Sequence, residues 1–141
     1  MKPTFSGAIT YRNQVFNLNK RPLYMPVLHA IVRNMFDQDI GSTEQFLIDT
    51  GASISILTNK YSTLFKNDKQ IDTMVIQYGR EKPVTISVYN AKLKIKNTPE
   101  ISLKMAIDPN VPYSVLGNVD FIERFRSIAI VNIKKNVHFF M

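Results

Sequence analysis

The chain of 141 residues contains no cysteine. That removes disulfides, a thiolate nucleophile and any cysteine-ligated metal, and it is compatible with every redox compartment. Histidine is scarce as well. His29 and His138 lack the spacing of metal ligands, so each reads as a strand residue, and neither a metal nor a cofactor is expected. No apolar run approaches the length of a membrane span. The start, Met1-Lys2-Pro3-Thr4-Phe5-Ser6-Gly7, lacks the apolar stretch of a secretory leader. These absences lead to the expectation of a soluble, cytoplasmic protein with no membrane partner. Internal repeats and low-complexity segments are missing too, and the length is that of one domain with a real core. The one departure is a polar stretch over residues 1–20. It reads as an N-terminal arm, either a short strand over 5–11 or a mobile segment, leaving 21–141 as the domain proper.

The charge is unbalanced, at +7. Lys92, Lys94 and Lys96 alternate with Leu93 and Ile95, which suits the solvated face of a strand, where lysine also discourages edge-to-edge pairing. A patch for nucleic acid is the sharper alternative. No aromatic-interleaved basic helix and no zinc spacing supports it, so no nucleic-acid partner is expected. Salt-dependent retention on DNA or RNA, lost when these three lysines are removed, is what that alternative would require.

Apolar and β-branched residues recur in short runs with period two. Strands are expected over 21–34, 45–49, 54–57, 71–78, 83–89, 91–96, 101–107, 127–133 and 137–141. Gly79-Arg80-Glu81-Lys82 joins two of these as a hairpin. Thr58 reads as the N-cap of a short helix over 59–65. A second short amphipathic helix is expected after Gly117, ending at Glu123-Arg124-Phe125, with Asp120 and Glu123 suited to its first turn. Many short strands with one or two short helices make an all-β domain.

The stretch that organises the rest is Phe46-Leu47-Ile48-Asp49-Thr50-Gly51-Ala52-Ser53-Ile54-Ser55-Ile56-Leu57. One apolar run carries a carboxylate into a Thr-Gly turn, and a second apolar run leaves it. Asp49 therefore stands at the mouth of an apolar core, where an unpartnered carboxylate is costly to ionise. A structural reading, in which Asp49 caps its own loop, is the bland alternative. Downstream, Val115-Leu116-Gly117 repeats the logic of an apolar strand ending at glycine.

Together Leu47-Ile48-Asp49-Thr50-Gly51-Ala52-Ser53 and Val115-Leu116-Gly117 resemble the retropepsin-like aspartic proteases, most of all their small bacterial members. The resemblance covers roughly residues 21–141. It implies a closed acid-protease-like β-barrel, active as a homodimer, and an aspartic endopeptidase acting on peptide or protein substrates. Only one Asp-Thr-Gly is present, since Asp72-Thr73 is followed by Met74. The second carboxylate must then come from a second copy of the chain across a two-fold axis.

The resemblance implies a role for each matching residue. Asp49 is the catalytic carboxylate. Thr50 braces the loop across the dimer axis, the carbonyl of Gly51 accepts a hydrogen bond from the substrate backbone, and Ala52 lines the site. Val115, Leu116 and Gly117 pack beneath the loop. The hairpin over 71–89 takes the position of the substrate-covering flap, with Tyr78, Gly79, Arg80, Glu81 and Lys82 at its end. Ser53 and Asn118 stand where retroviral members carry a bracing Asp–Arg ion pair, so the interface is expected to be held otherwise, by the terminal strands or by residues 1–20. A non-catalytic domain of the same fold, serving dimerisation or peptide binding, is the alternative function.

Overall fold

The computed structural model describes residues 3–12, 23–77, 79–131 and 134–141. Ten strands carry the fold: β1 (Phe5–Arg12), β2 (Leu23–Arg33), β3 (Glu44–Ile48), β4 (Ser55–Leu57), β5 (Asp72–Ile76), β6 (Val84–Lys94), β7 (Ile101–Ile107), β8 (Ser114–Leu116), β9 (Ser127–Val131) and β10 (Asn136–Phe140). They form one sheet in the order β5-β6-β7-β4-β8-β3-β2-β1-β10-β9, and β6 also pairs with β2. That last pairing closes β2, β3, β8, β4, β7 and β6 into a barrel. Closure is through Ile31 opposite Lys94, Val32 opposite Leu93 and Arg33 opposite Lys92. The expected all-β barrel is what is found.

The barrel is held by side chains that alternate inward. Leu28, Ala30 and Val32 of β2 are buried while His29 between them is exposed. Phe46, Leu57, Leu93, Met105 and Leu116 bring β3, β4, β6, β7 and β8 into the same apolar cluster. Tyr61 and Phe65 close one side of it. At the other side Phe5, Phe121, Phe125 and Phe139 pack ring on ring, Phe5 stacking on Phe139 at 4.5 Å and Phe121 meeting Phe125 edge-on at 5.2 Å. Thus β1, which lies in the region read as an arm, is a paired strand, held by β10 and β2. Gly7 is required there, since any Cβ would collide with the Val27 carbonyl of β2.

Three expectations change. The segments 83–89 and 91–96 are one strand, β6, not two. Ile86 and Val88 face a small cluster with Ala106, whereas Ala91 and Leu93 face the barrel core. The strand therefore changes buried face near Asn90, and in sequence that change imitates a break. The helix expected over 59–65 is a single turn of 3-10 helix at Asn59–Tyr61, and Thr58 makes no side-chain cap. The helix after Gly117 likewise shrinks to Ile122–Arg124. Asp120 adopts a left-handed backbone (φ 65°), which no helix tolerates. Instead of serving a helix terminus, the Asp120 carboxylate accepts the backbone N–H of Lys104 on β7 at 2.9 Å, and Glu123 accepts the N–H of Asp120 at 2.9 Å.

The lysine row lies on the outer barrel face, as its alternation predicts. Lys92 pairs with Asp37 at 2.6 Å and Lys94 donates to the Thr98 carbonyl at 2.8 Å. The hydrogen bond from Lys92, then its charge, lowers the Asp37 pKa, and the same bond raises that of Lys92. What this pair adds to stability is complete between the ordinary carboxylate and lysine values. It fades as pH falls through the lowered Asp37 value or rises through the raised Lys92 value.

Phe139 is fully buried at the junction of β1, β10 and the Phe121–Phe125 turn. Phe139→Ala is expected to cost about 3–5 kcal/mol in urea unfolding. A loss under about 1 kcal/mol would mean that the aromatic cluster does not hold the terminal strands to the barrel.

Candidate active site

Strand β3 is buried along its length and ends at Ile48, so it delivers Asp49 to the barrel mouth. Strand β8 runs parallel to β3, with Phe46 opposite Ser114, Leu47 opposite Val115 and Ile48 opposite Leu116. On its other side it pairs antiparallel with β4, Ile56 opposite Val115. The chain from Asp49 to Ile54 must therefore cross over the end of β8 to pass from β3 to β4. Val115, Leu116 and Gly117 lie beneath that crossing, where the sequence reading puts them.

Hydrogen bonds define the shape of the crossing loop. The Asp49 N–H donates to the Leu116 carbonyl at 3.0 Å. The Gly51 N–H donates to Asp49 Oδ1 at 2.8 Å, and the Ala52 N–H donates to the Asp49 carbonyl at 3.2 Å. One carboxylate oxygen is thus oriented by its own loop, and Asp49 remains part-exposed. A Cβ on residue 51 would sit 3.1 Å from that oxygen, which accounts for glycine. At residue 117 a Cβ would lie 2.7 Å from the Ile54 carbonyl oxygen and 2.8 Å from that of Ala52, so the two backbones meet there directly. The Gly117 N–H is taken up by the buried Ser55 hydroxyl at 3.0 Å.

Asn118 supplies the brace. Its side-chain amide donates to the Thr50 carbonyl at 2.7 Å and the Ala52 carbonyl at 3.0 Å, while its own N–H donates to Ala52 at 2.9 Å. The next residue continues the contact, Val119 N–H to the Ser53 carbonyl at 2.9 Å. A neutral amide thus ties the crossing loop to the segment after Gly117 within one chain. Sequence reasoning missed this role for Asn118, because its acceptors are main-chain carbonyls some 70 positions away that no side-chain pattern announces.

Asp49, Gly51 and Ala52 line a cleft of about 490 Å³. Its walls are largely apolar: Ile54 and Ile56 from β4, Val115 from β8, Met74 and Ile76 from β5. Val111, Pro112 and Tyr113 complete it, and Asp49 is the acid among the lining residues. The β5–β6 hairpin is present as expected, with Ile76 opposite Val84 nearest the turn. The part of it that lines the cleft is the run Met74, Val75, Ile76 and Gln77. Gly79, Arg80, Glu81 and Lys82 form an exposed tip outside the lining, with Gly79 at φ 57°, and Tyr78 lies outside the described residues. Thr50 is exposed at the loop's apex.

Other residues singled out in the sequence stand away from this site. His138 Nδ1 shares a 2.7 Å hydrogen bond with the Ser6 hydroxyl across β10 and β1, and His29 is exposed on the outer barrel face. Among the described residues no group of three or more His, Cys, Asp and Glu side chains is placed to hold a metal ion, and no helix is long and apolar enough to cross a membrane.

The closed barrel with β8 inserted between β3 and β4, an Asp-bearing loop crossing it and a hairpin over the cleft define the retropepsin-like fold. Among solved structures, that of a retropepsin-like aspartic protease from Rickettsia conorii matches with a TM-score of 0.57 at 16% identity, over 96% of this chain and 90% of that one. At this identity the likeness is one of fold. No protein-family model matches the sequence, and no curated protein does.

Because carbonyl oxygens of the crossing loop face residue 117, Gly117→Ala has only backbone to push against. It is expected to lower stability by about 1–3 kcal/mol and to shift the amide NMR signals of Ala52 and Ile54. Unchanged signals would show slack between the two loops.

Proposed function

We propose that the protein is an aspartic endopeptidase whose catalytic pair is Asp49 from each of two copies. The observation that carries this reading is the placement of Asp49. Its carboxylate is oriented by the Gly51 N–H and opens on an apolar cleft of about 490 Å³.

The chemistry requires two carboxyl groups. One accepts a proton from the attacking water while the other hydrogen-bonds the scissile carbonyl, and a lone carboxylate cannot do both at once. Two Asp49 side chains in contact would share a single proton, since both cannot easily carry charge. Water adds to the carbonyl carbon, its proton passes to the ionised Asp49, and the protonated Asp49 of the second copy stabilises the oxygen. Proton transfer to the amide nitrogen then releases the amine. In this reading Thr50, Gly51 and Ala52 frame the pair, Asn118 keeps the loop in register, and the β5–β6 hairpin excludes water on closing.

The fold also offers a surface for the second copy. Strand β9 ends the sheet, so one of its edges has no strand partner among the described residues. Its sequence, Ser127-Ile128-Ala129-Ile130-Val131, carries no charge and no proline, and Ile130 is 53% exposed. Such an edge lacks the devices that normally prevent strand addition, and an antiparallel pairing of two β9 strands would satisfy it.

The test compares wild type with Asp49→Asn on a peptide library across pH, with oligomeric state followed by light scattering. The expected result is a dimer with a bell-shaped pH profile and, in the variant, an intact dimer with cleavage at background. A folded dimer without cleavage at any pH would instead favour the non-catalytic peptide-binding domain.

A charge on the free edge separates assembly from chemistry. Ile130→Lys is expected to give a folded monomer with activity reduced at least about tenfold at equal concentration. Full activity from a monomer would refute the shared pair.

A further inference from the structure

Val111, Pro112 and Tyr113, which wall the Asp49 cleft, also line a second cavity of about 390 Å³. Its other residues include Glu44 and Gln45 from β3 and Thr58 and Lys60 from the turn after β4. This cavity is polar where the first is apolar.

Glu44 is the unusual feature. Its side chain is 10% exposed, and its Oε2 lies 2.9 Å from Nζ of Lys60, whose side chain is 50% exposed. A desolvated carboxylate is costly unless a cation and further donors satisfy it. A compact ammonium that stays half in water meets that need only in part. One more polar atom of the lining is buried and has no hydrogen-bond partner among the described residues, the Thr58 hydroxyl. Behind the cavity wall, burial, then the Glu44 charge and a hydrogen bond to Glu44, hold the Tyr61 hydroxyl far above its ordinary pKa, so it stays neutral and serves as a donor to that carboxylate. The site thus combines a buried anion, an unused hydroxyl and room.

We propose that this cavity binds a guanidinium group, the side chain of an arginine in a peptide, with Glu44 as its counter-ion and Lys60 as the resident cation it displaces. A guanidinium presents a planar fork of five N–H donors, two of which match a carboxylate. Thr58 and Gln45, both in the lining, carry acceptors for the remaining donors. Val111 and Pro112 offer apolar surface to the methylene stem. The site stands apart from the proposed catalysis and survives if that reading fails. The shared wall makes Val111 and Tyr113 reporters for both cavities.

The experiment titrates Nα-acetylarginine methylamide into the full chain and follows the amide NMR signals of Val111 and Tyr113. Saturable shifts are expected in wild type. Glu44→Gln, which keeps the shape, is expected to weaken binding about tenfold or more. Lys60→Ala is expected to tighten it about two- to fivefold, because the competing cation is gone. Lys60 is half exposed, so this variant stays informative even where Glu44→Gln lowers stability. Absence of saturable binding, equal affinity in Glu44→Gln, or weaker binding in Lys60→Ala would each overturn the proposal. Tighter binding of the capped compound than of free L-arginine supports a peptide ligand, and the reverse order overturns that assignment of source.

Discussion

The contact between the two backbone segments 49–54 and 116–119 is the constraint on which the rest depends. Main-chain bonds join Asp49 to Leu116, Asn118 to Ala52 and Val119 to Ser53, and the Asn118 amide adds two more to the Thr50 and Ala52 carbonyls. Such a contact requires that residue 117 have no side chain, since any Cβ would meet two carbonyl oxygens. It also requires β8 to lie between β3 and β4, because only then does one loop cross the other. Three short strands, each too brief to be stable alone, are thereby locked into the barrel. The carboxylate of Asp49 gains its orientation from that same crossing and not from any charged neighbour.

Rigidity beneath the site is matched by a lighter construction above it. The barrel cluster gathers most of the large buried side chains, whereas the β5–β6 hairpin rests on Ile86, Val88 and Ala106 with Met74 and Ile76 partly covering them. Strand β6 belongs to both clusters through opposite faces. One end is fixed in the barrel by pairing with β7 and β2, and the other carries β5 alone. Fewer buried contacts toward the tip give a local stability below that of the barrel.

Charge plays a secondary part. The described ion pairs, such as Arg33 with Glu100 at 3.4 Å and Lys104 with Asp120 at 3.9 Å, lie at the surface, where each contributes little. Glu44 is the exception, because its carboxylate is buried and the Thr58 hydroxyl in the same cavity is unused. The fold would lose little by an apolar residue there, so a ligand gives a physical reason for the carboxylate.

The sequence by itself determined the strand-rich class and the position of Asp49 between two apolar runs, with a Thr-Gly turn at its end. Those features are local: period-two burial, a carboxylate at a strand end and a turn residue without Cβ. It also announced the β5–β6 hairpin through its turn residues. What it could not determine depends on partners distant in the chain. The change of buried face near Asn90 is visible only once two separate clusters exist, and before that it imitates a strand break. The loss of the helix after Gly117 follows from Asp120, whose left-handed backbone is anchored to Lys104 on another strand. The brace by Asn118, the cleft walls at Met74 to Gln77 and Val111 to Tyr113, and the polar cavity at Glu44 were likewise decided by tertiary structure. Each consists of groups that meet only when the barrel closes, and a side chain's type does not reveal which distant carbonyl or cavity it will face.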